Sequence, residues 1–125
     1  MGKTRLDGAW GEALAAEHLK KKRYKLVACG YQCRFGEIDL IVKNRKYLVF
    51  VEVKLRKNDR FGAAADAVTL YKRDKLKKTA LAWLAATNCT APTRFDVIEV
   101  YLGDTSLTNN PAILRIEHLE DAFRE

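Results

Sequence analysis

Four side chains in this sequence have types and spacings suited to phosphodiester chemistry: Glu12, Asp39, Glu52 and Lys54. Asp39 stands inside Ile38-Asp39-Leu40-Ile41, and Glu52 and Lys54 stand inside Val49-Phe50-Val51-Glu52-Val53-Lys54. Both are runs of strand-forming apolar residues, where burial selects against charge. Carboxylates set close together repel one another and are tolerated only with a proton, a cation or water among them. A magnesium-like ion is the economical answer, since it takes oxygen ligands and commonly uses one or two carboxylates plus waters and substrate phosphate oxygens. An ion held by such acids polarises a phosphate and lowers the pKa of a bound water, while a lysine ammonium orients that water or neutralises developing charge. The carbonyl of Val53, between Glu52 and Lys54, is a further candidate ligand.

Positioning these groups falls to the stretch from Phe35 to Arg56. Two apolar, β-branched runs flank Lys43-Asn44-Arg45-Lys46, which reads as a β-hairpin of long strands. Alternation puts Leu48, Phe50, Glu52 and Lys54 on one face of the second strand and Val49, Val51 and Val53 on the other. Apolar residues on both sides mark an interior strand covered on both faces. On the first strand Glu37, Asp39 and Ile41 share a face. A two-residue turn at Asn44-Arg45 pairs Asp39 with Phe50 and Glu37 with Glu52, whereas a turn at Arg45-Lys46 pairs Asp39 directly with Glu52. In either register Asp39, Glu52 and Lys54 fall on one face within about 5 to 8 Å at Cβ, inside the reach of a shared cation. The competing reading is a surface hairpin with a Glu-Lys pair at its open end, against which the apolar run argues.

The flanking elements follow from the same rules. Gly8 to about Lys22 reads as a helix with Asp7 as N-cap, carrying the apolar stripe Ala9, Ala13, Ala16 and Leu19. Glu12 falls within that stripe. It either turns toward the hairpin acids or serves as a first-turn acid favoured by the helix dipole. Lys20 to Lys25 is strongly basic and suits a helix C-terminus. Leu26 to Cys29 reads as a short strand, and Gly30 to Gly36 as a turn-rich passage. Lys57 to Gly62 has loop composition beside the proposed site. A long helix is expected from about Ala65 to Ala86, with Val68, Leu76, Ala80, Trp83 and Leu84 toward the core. Within its basic run, Lys72 borders the buried stripe at i−4 to Leu76 and can reach the cleft. Arg94 to Leu102 is another strand, Gly103 to Ser106 a turn, Ile113 to Ile116 a last short strand, and Ala122-Phe123 a closing helical turn. This order fits an α/β fold, a mixed β-sheet with flanking helices.

A chain of 125 residues suits one domain spanning 1–125. Apolar residues make up 48% and charged residues 31%, which places it with globular rather than disordered chains. No apolar run reaches the length of a bilayer span, and Met1 to Asp7 has no signal-peptide core, so a cytoplasmic protein without a membrane partner is expected. Cys29, Cys33 and Cys89 are odd in number and Cys29/Cys33 lacks a second pair, which argues for reduced, space-filling thiols over zinc. Residues 1–94 hold 21 Lys and Arg against 9 Asp and Glu, net +12, while residues 95–125 hold 2 against 7, net −5. Such asymmetry suits a polyanion approaching the side that carries the hairpin. Arg34, Arg56, Lys72, Arg73 and Lys75 are the candidate nucleic-acid contacts, although surface lysines also serve solubility alone.

Gly11-Glu12-Ala13, Phe35 to Ile41, Leu48 to Lys54 with Arg56, Ala67-Val68, Arg94 to Ile98, and Ile116 to Leu119 with Ala122-Phe123 closely resemble the YraN-like family of small bacterial proteins. That family is similar to the PD-(D/E)XK nuclease superfamily and has some likeness to archaeal Holliday junction resolvases. The resemblance implies a restriction-endonuclease-like fold with an α-β-β-β-α-β core. It also implies metal ligands at Asp39 and Glu52, the motif lysine at Lys54 and the helix-one acid at Glu12. There are three departures from the pattern: Ile38 stands at the motif's proline, Gly30 to Arg34 replaces Asn-Tyr-Arg-x-Arg, and Arg73 stands where relatives often carry glutamine.

Two readings that involve nucleic acid follow. One is an endonuclease using Mg²⁺ or Mn²⁺ on nucleic acid, with DNA foremost and structure selected over sequence, since no base-reading helix is evident. A homodimer would suit cutting of two strands. The other is a catalytically idle nucleic-acid-binding module or accessory subunit of the same fold, against which the retained Lys54 counts. A third, weaker reading is an interaction protein whose hairpin is only core.

Overall fold

The computed structural model describes residues 8–56, 69–103 and 113–123. In chain order these form α1 (Gly8–Lys21), β1 (Lys25–Cys33), β2 (Gly36–Lys43), β3 (Leu48–Arg56), α2 (Leu70–Thr87), β4 (Thr93–Leu102) and β5 (Ile113–Leu119). The strands make one sheet in sequential order, antiparallel except for β3 and β4, which run parallel with α2 crossing between them. This is a restriction-endonuclease-like α/β architecture, with β3 interior and apolar on both faces as the alternation requires. Val49 and Val51 join Leu40, Val42, Ile98 and Val100 under α1 through Ala15 and Leu19, while Leu48 and Phe50 join Ile41, Phe95, Leu76 and Ala80 under α2. Each such aliphatic or aromatic side chain contributes roughly 1.5 to 3 kcal/mol on burial, which offsets the cost of enclosing Glu52, Asp96 and Glu99 in the same sheet. No helix among the described residues is long and apolar enough to cross a membrane.

The hairpin takes the second of the two registers, with Leu40 opposite Val51 and Lys43 opposite Leu48. Asn44 sets it: its Oδ1 accepts from the amides of Lys46 at 2.9 Å and Tyr47 at 2.8 Å, and its own amide donates to the Tyr47 carbonyl at 3.0 Å.

Several local expectations give way to tertiary pairing. β1 does not stop at Cys29 but runs to Cys33, where it pairs with Gly36 across Arg34-Phe35. Gly30 sits inside the strand at φ 63°, a conformation open to glycine at no steric cost. The buried stripe of α1 is Gly11, Ala15 and Leu19, and Ala13 is exposed. α1 ends at Lys21, and the φ of 73° at Arg23 turns the chain so that the Tyr24 amide reaches the Leu19 carbonyl. α2 is capped by Thr69, whose side chain accepts from the Lys72 amide at 3.1 Å. Trp83 and Leu84 pack against the α2-side core as expected. β5 extends to Leu119, and a turn at Asp121 replaces the closing helical turn, with the Ala122 amide donating to the Phe95 carbonyl at 2.7 Å. The Asp7 cap, the loop from Lys57 to Gly62, the helix start at Ala65 with Ala67 and Val68, and the turn beyond Gly103 lie outside the described residues.

Candidate functional site

The strands of the hairpin part beyond Leu40 and Val51. In the next position the Val53 amide donates to Asp39 Oδ2 at 2.8 Å instead of to a backbone carbonyl. The acid thus takes over a backbone partner at the open end of the hairpin and is held by it. Face alternation also breaks here: Ile38 joins the α2-side core and Leu40 the α1-side core. Asp39 and Ile41 therefore do not share a face as strict alternation requires, and Asp39 bonds instead to Glu12 on α1. Gly11 allows that approach, because a Cβ there would lie 3.0 Å from Leu55 Cδ2 on β3.

Carboxylate oxygens of Glu12, Glu37 and Asp39 lie within 4.8 Å of one another. Glu12 and Asp39 are half-buried and Glu37 is exposed. Burial pushes Asp39 up to about 7 against the opposing Val53 bond, and the charges of Glu52 and Glu12 and the hydrogen bond to Glu12 push the same way. Burial also raises Glu12, helped by the charges of Glu37 and Glu52, while its bond to Asp39 pulls it down. A hydrogen bond between two carboxyl groups needs a proton on one of them, so Glu12 and Asp39 share one between them.

The donor set fits a hard divalent ion. It is all oxygen and carries excess negative charge, and octahedral coordination at about 2.0 to 2.1 Å spaces ligand atoms roughly 3 to 4 Å apart. Glu52 lies outside this trio: it is buried and its Oε2 sits 2.5 Å from Lys72 Nζ, so α2 supplies its counter-charge. Lys54 is half-buried, opposite Glu99 in the β3–β4 register. Among the described residues no hydrogen bond or ion pair joins it to the acids. Glu37 was missing from the sequence-derived set, although its i, i+2 relation to Asp39 was a usable signal.

The basic candidates separate. Arg34 is exposed over the Phe35 ring, and Lys75 is exposed over the Tyr71 ring. Arg73 is half-buried over Phe123. Arg56 is buried and donates to Glu99 Oε2 from both Nε and Nη2, with Tyr101 donating to Oε1 at 2.9 Å. This is an internal ion-pair network.

A second polar cluster, not anticipated from sequence, lies across β3 from the acids. Asp96 accepts from Arg94 Nε at 2.9 Å and Nη2 at 2.8 Å, from the Asp121 amide at 2.9 Å and from His118 Nε2 at 2.6 Å. Lys22 Nζ lies 2.7 Å from His118 Nδ1. An ammonium can only donate, so the His118 proton sits on Nε2, facing Asp96.

The model of a family described as "Uncharacterised protein family UPF0102" matches residues 11–100. A UPF0102 protein of Geotalea uraniireducens is 40% identical over 117 residues, covering 93% of this chain and 87% of the relative. One from Caldanaerobacter subterraneus subsp. tengcongensis is 40% identical over 117 residues, covering 93% of each. One from Geotalea daltonii is 42% identical over 117 residues, covering 93% of this chain and 87% of the relative.

Proposed function

The chain belongs to the uncharacterised protein family UPF0102, and from that premise and the geometry of its acids we propose that it is a divalent-metal-dependent nuclease of one domain, hydrolysing phosphodiester bonds in DNA. The carrying observation is the convergence of Glu12, Glu37 and Asp39 within 4.8 Å at the parted end of the hairpin. Mg²⁺ or Mn²⁺ held there supplies Lewis acidity toward a phosphate oxygen and a water of lowered pKa. Asp39 and Glu12 would hold the ion from β2 and α1, and the exposed Glu37 would complete the set. The Val53 amide keeps the Asp39 carboxylate aimed. Glu52 would be a further ligand once parted from Lys72, whose ammonium would then be free to meet a phosphate. Lys54, on the same strand face as Glu52, neutralises charge developing on the phosphoryl oxygens. Arg34 and Lys75 extend the basic surface, while Arg56 is held in its ion pair with Glu99 and Arg73 lies over the Phe123 ring.

Selection rests on nucleic-acid structure rather than sequence, since no element among the described residues is shaped to read base edges. A homodimer would present two sites to a duplex. Three free thiols suit a reducing cytoplasm.

The test is cleavage of duplex, single-stranded, flap and four-way-junction DNA with Mg²⁺ or Mn²⁺. Asp39→Asn and Glu52→Gln are each expected to lower the rate by at least about 100-fold. No cleavage of any substrate by the wild type would favour the second reading, an idle nucleic-acid-binding module. One observation supports that alternative: Lys72 offers Glu52 a counter-charge from the protein itself.

A further inference from the structure

The first turn of α2 puts Tyr71 into water. Its side chain is 73% exposed and its neighbour Leu70 79% exposed. The other aromatic of this helix, Trp83, behaves as a core residue, edge-on to Phe50 at 6.1 Å between ring centroids. An aromatic ring left open to water beside a candidate site is a contact surface in need of a partner.

The surroundings state the partner's chemistry. Lys75 Nζ lies 5.2 Å from the Tyr71 ring centroid, and Lys72, the next residue in the chain, reaches Glu52 at the acid site. The ring thus stands against a cation, at the positive end of a helix capped by Thr69. An aromatic ring interleaved with ammonium groups suits a strand with phosphates to pair and bases to stack. A second copy of this chain fits less well. The apolar stripe from Tyr71 toward exposed Leu81 is interrupted by the Asp74–Lys78 ion pair at 3.1 Å, and a helix-to-helix seam would need that stripe continuous.

We propose that Tyr71 is a stacking platform for an unpaired base of single-stranded DNA, with Lys75 on a flanking phosphate, so that substrates carrying a single-stranded segment are preferred over continuous duplex. The proposal rests on the nuclease reading for its place beside the acids, but its binding step needs neither metal nor turnover.

Binding of fluorescent oligo(dT) and of a duplex of equal length is therefore measured in EDTA at fixed salt. Tyr71→Ala is expected to weaken oligo(dT) binding by about 5- to 160-fold, the range that a lost stack produces, with duplex binding changed less than about twofold on the same scale. Tyr71→Phe should restore it, because the ring and not the hydroxyl does the stacking. Abasic positions in the oligonucleotide should erase the preference with phosphates intact. Equal losses on both substrates, or no loss, overturn the proposal. So does a change of oligomeric state in Tyr71→Ala by sedimentation, which would assign the surface to a second copy. Absence of cleavage by wild type in Mn²⁺ sinks the nuclease reading while leaving this binding result standing.

Discussion

Asp39 and Asp96 flank β3 from either side, one on β2 and one on β4, and the sheet holds them in opposite states. Asp96 is the more buried, at 1% exposure, yet it is held below the usual carboxylate range. Burial opposes that, and bonds from His118, Arg94 and the Asp121 amide outweigh it. Asp39 receives one amide bond, from Val53, and otherwise faces Glu12 and Glu52, so it is pushed up to about 7. Desolvation alone therefore does not set the state of a carboxylate; the donors and charges around it do. Asp96 is a finished structural joint tying β4 to the turn after β5 and, through Arg94 and His118, to Tyr24 and Lys22 at the end of α1. Asp39 is left with negative charge that its own neighbours do not answer, the arrangement expected where a cation belongs.

Removing the finished joint should have the larger effect. Asp96→Asn keeps the shape but strands the Arg94 guanidinium, whose side chain is only 12% exposed. Breaking one partner of such a pair costs about 3 kcal/mol or more, read as a fall of roughly 10 °C in melting temperature. A variant melting with the wild type would remove the structural role.

Asp39→Asn should go the other way. The folded-state pKa of Asp39 lies above its unfolded value near 3.9, so the folded protein holds the extra proton and stability drains as pH rises from about 4 to about 7. In chelator at pH 8 the amide variant should be more stable by on the order of 1 kcal/mol, since Glu12 shares part of the strain. That gain should vanish below pH 4. Asp96 has the reverse dependence: its depressed pKa contributes stability above about pH 4, lost as pH falls through the folded value. Denaturation curves across pH 3 to 8, roughly the window between these limits, would break the comparison if both variants showed the same slope.

The unequal legibility of the two regions has a physical cause. The hairpin acids announced themselves because Asp39 and Glu52 interrupt apolar strands, and period-two alternation carries that signal locally. Its register was not readable, because the deciding contacts are made by the Asn44 side chain. Gly30 to Gly36 resembled a turn by composition, and antiparallel pairing across Arg34-Phe35 overrode it. On α1 both Ala13 and Ala15 are small enough to be buried, and the one that faces the sheet is decided by the approach of Gly11 to Leu55. Asp96 and His118 come from different strands 22 positions apart, with no periodicity to join them, so their pairing became visible only in three dimensions.

The smallest expected effect tests whether the two regions are as separate as they look. Lys72 gives Glu52 the kind of partner that Arg94 gives Asp96, but from a flexible, 46% exposed side chain. Water screens such a pair, so Lys72→Gln should cost only about 0.5 to 1 kcal/mol in chelator. Its consequence should appear with metal. Without the ammonium, a divalent ion meets no competitor for Glu52, and Mn²⁺ should raise the melting temperature of the variant more than that of the wild type. Equal shifts in both would mean that Glu52 stays with α2 when the ion binds, which would leave Glu12, Glu37 and Asp39 as the whole protein ligand set.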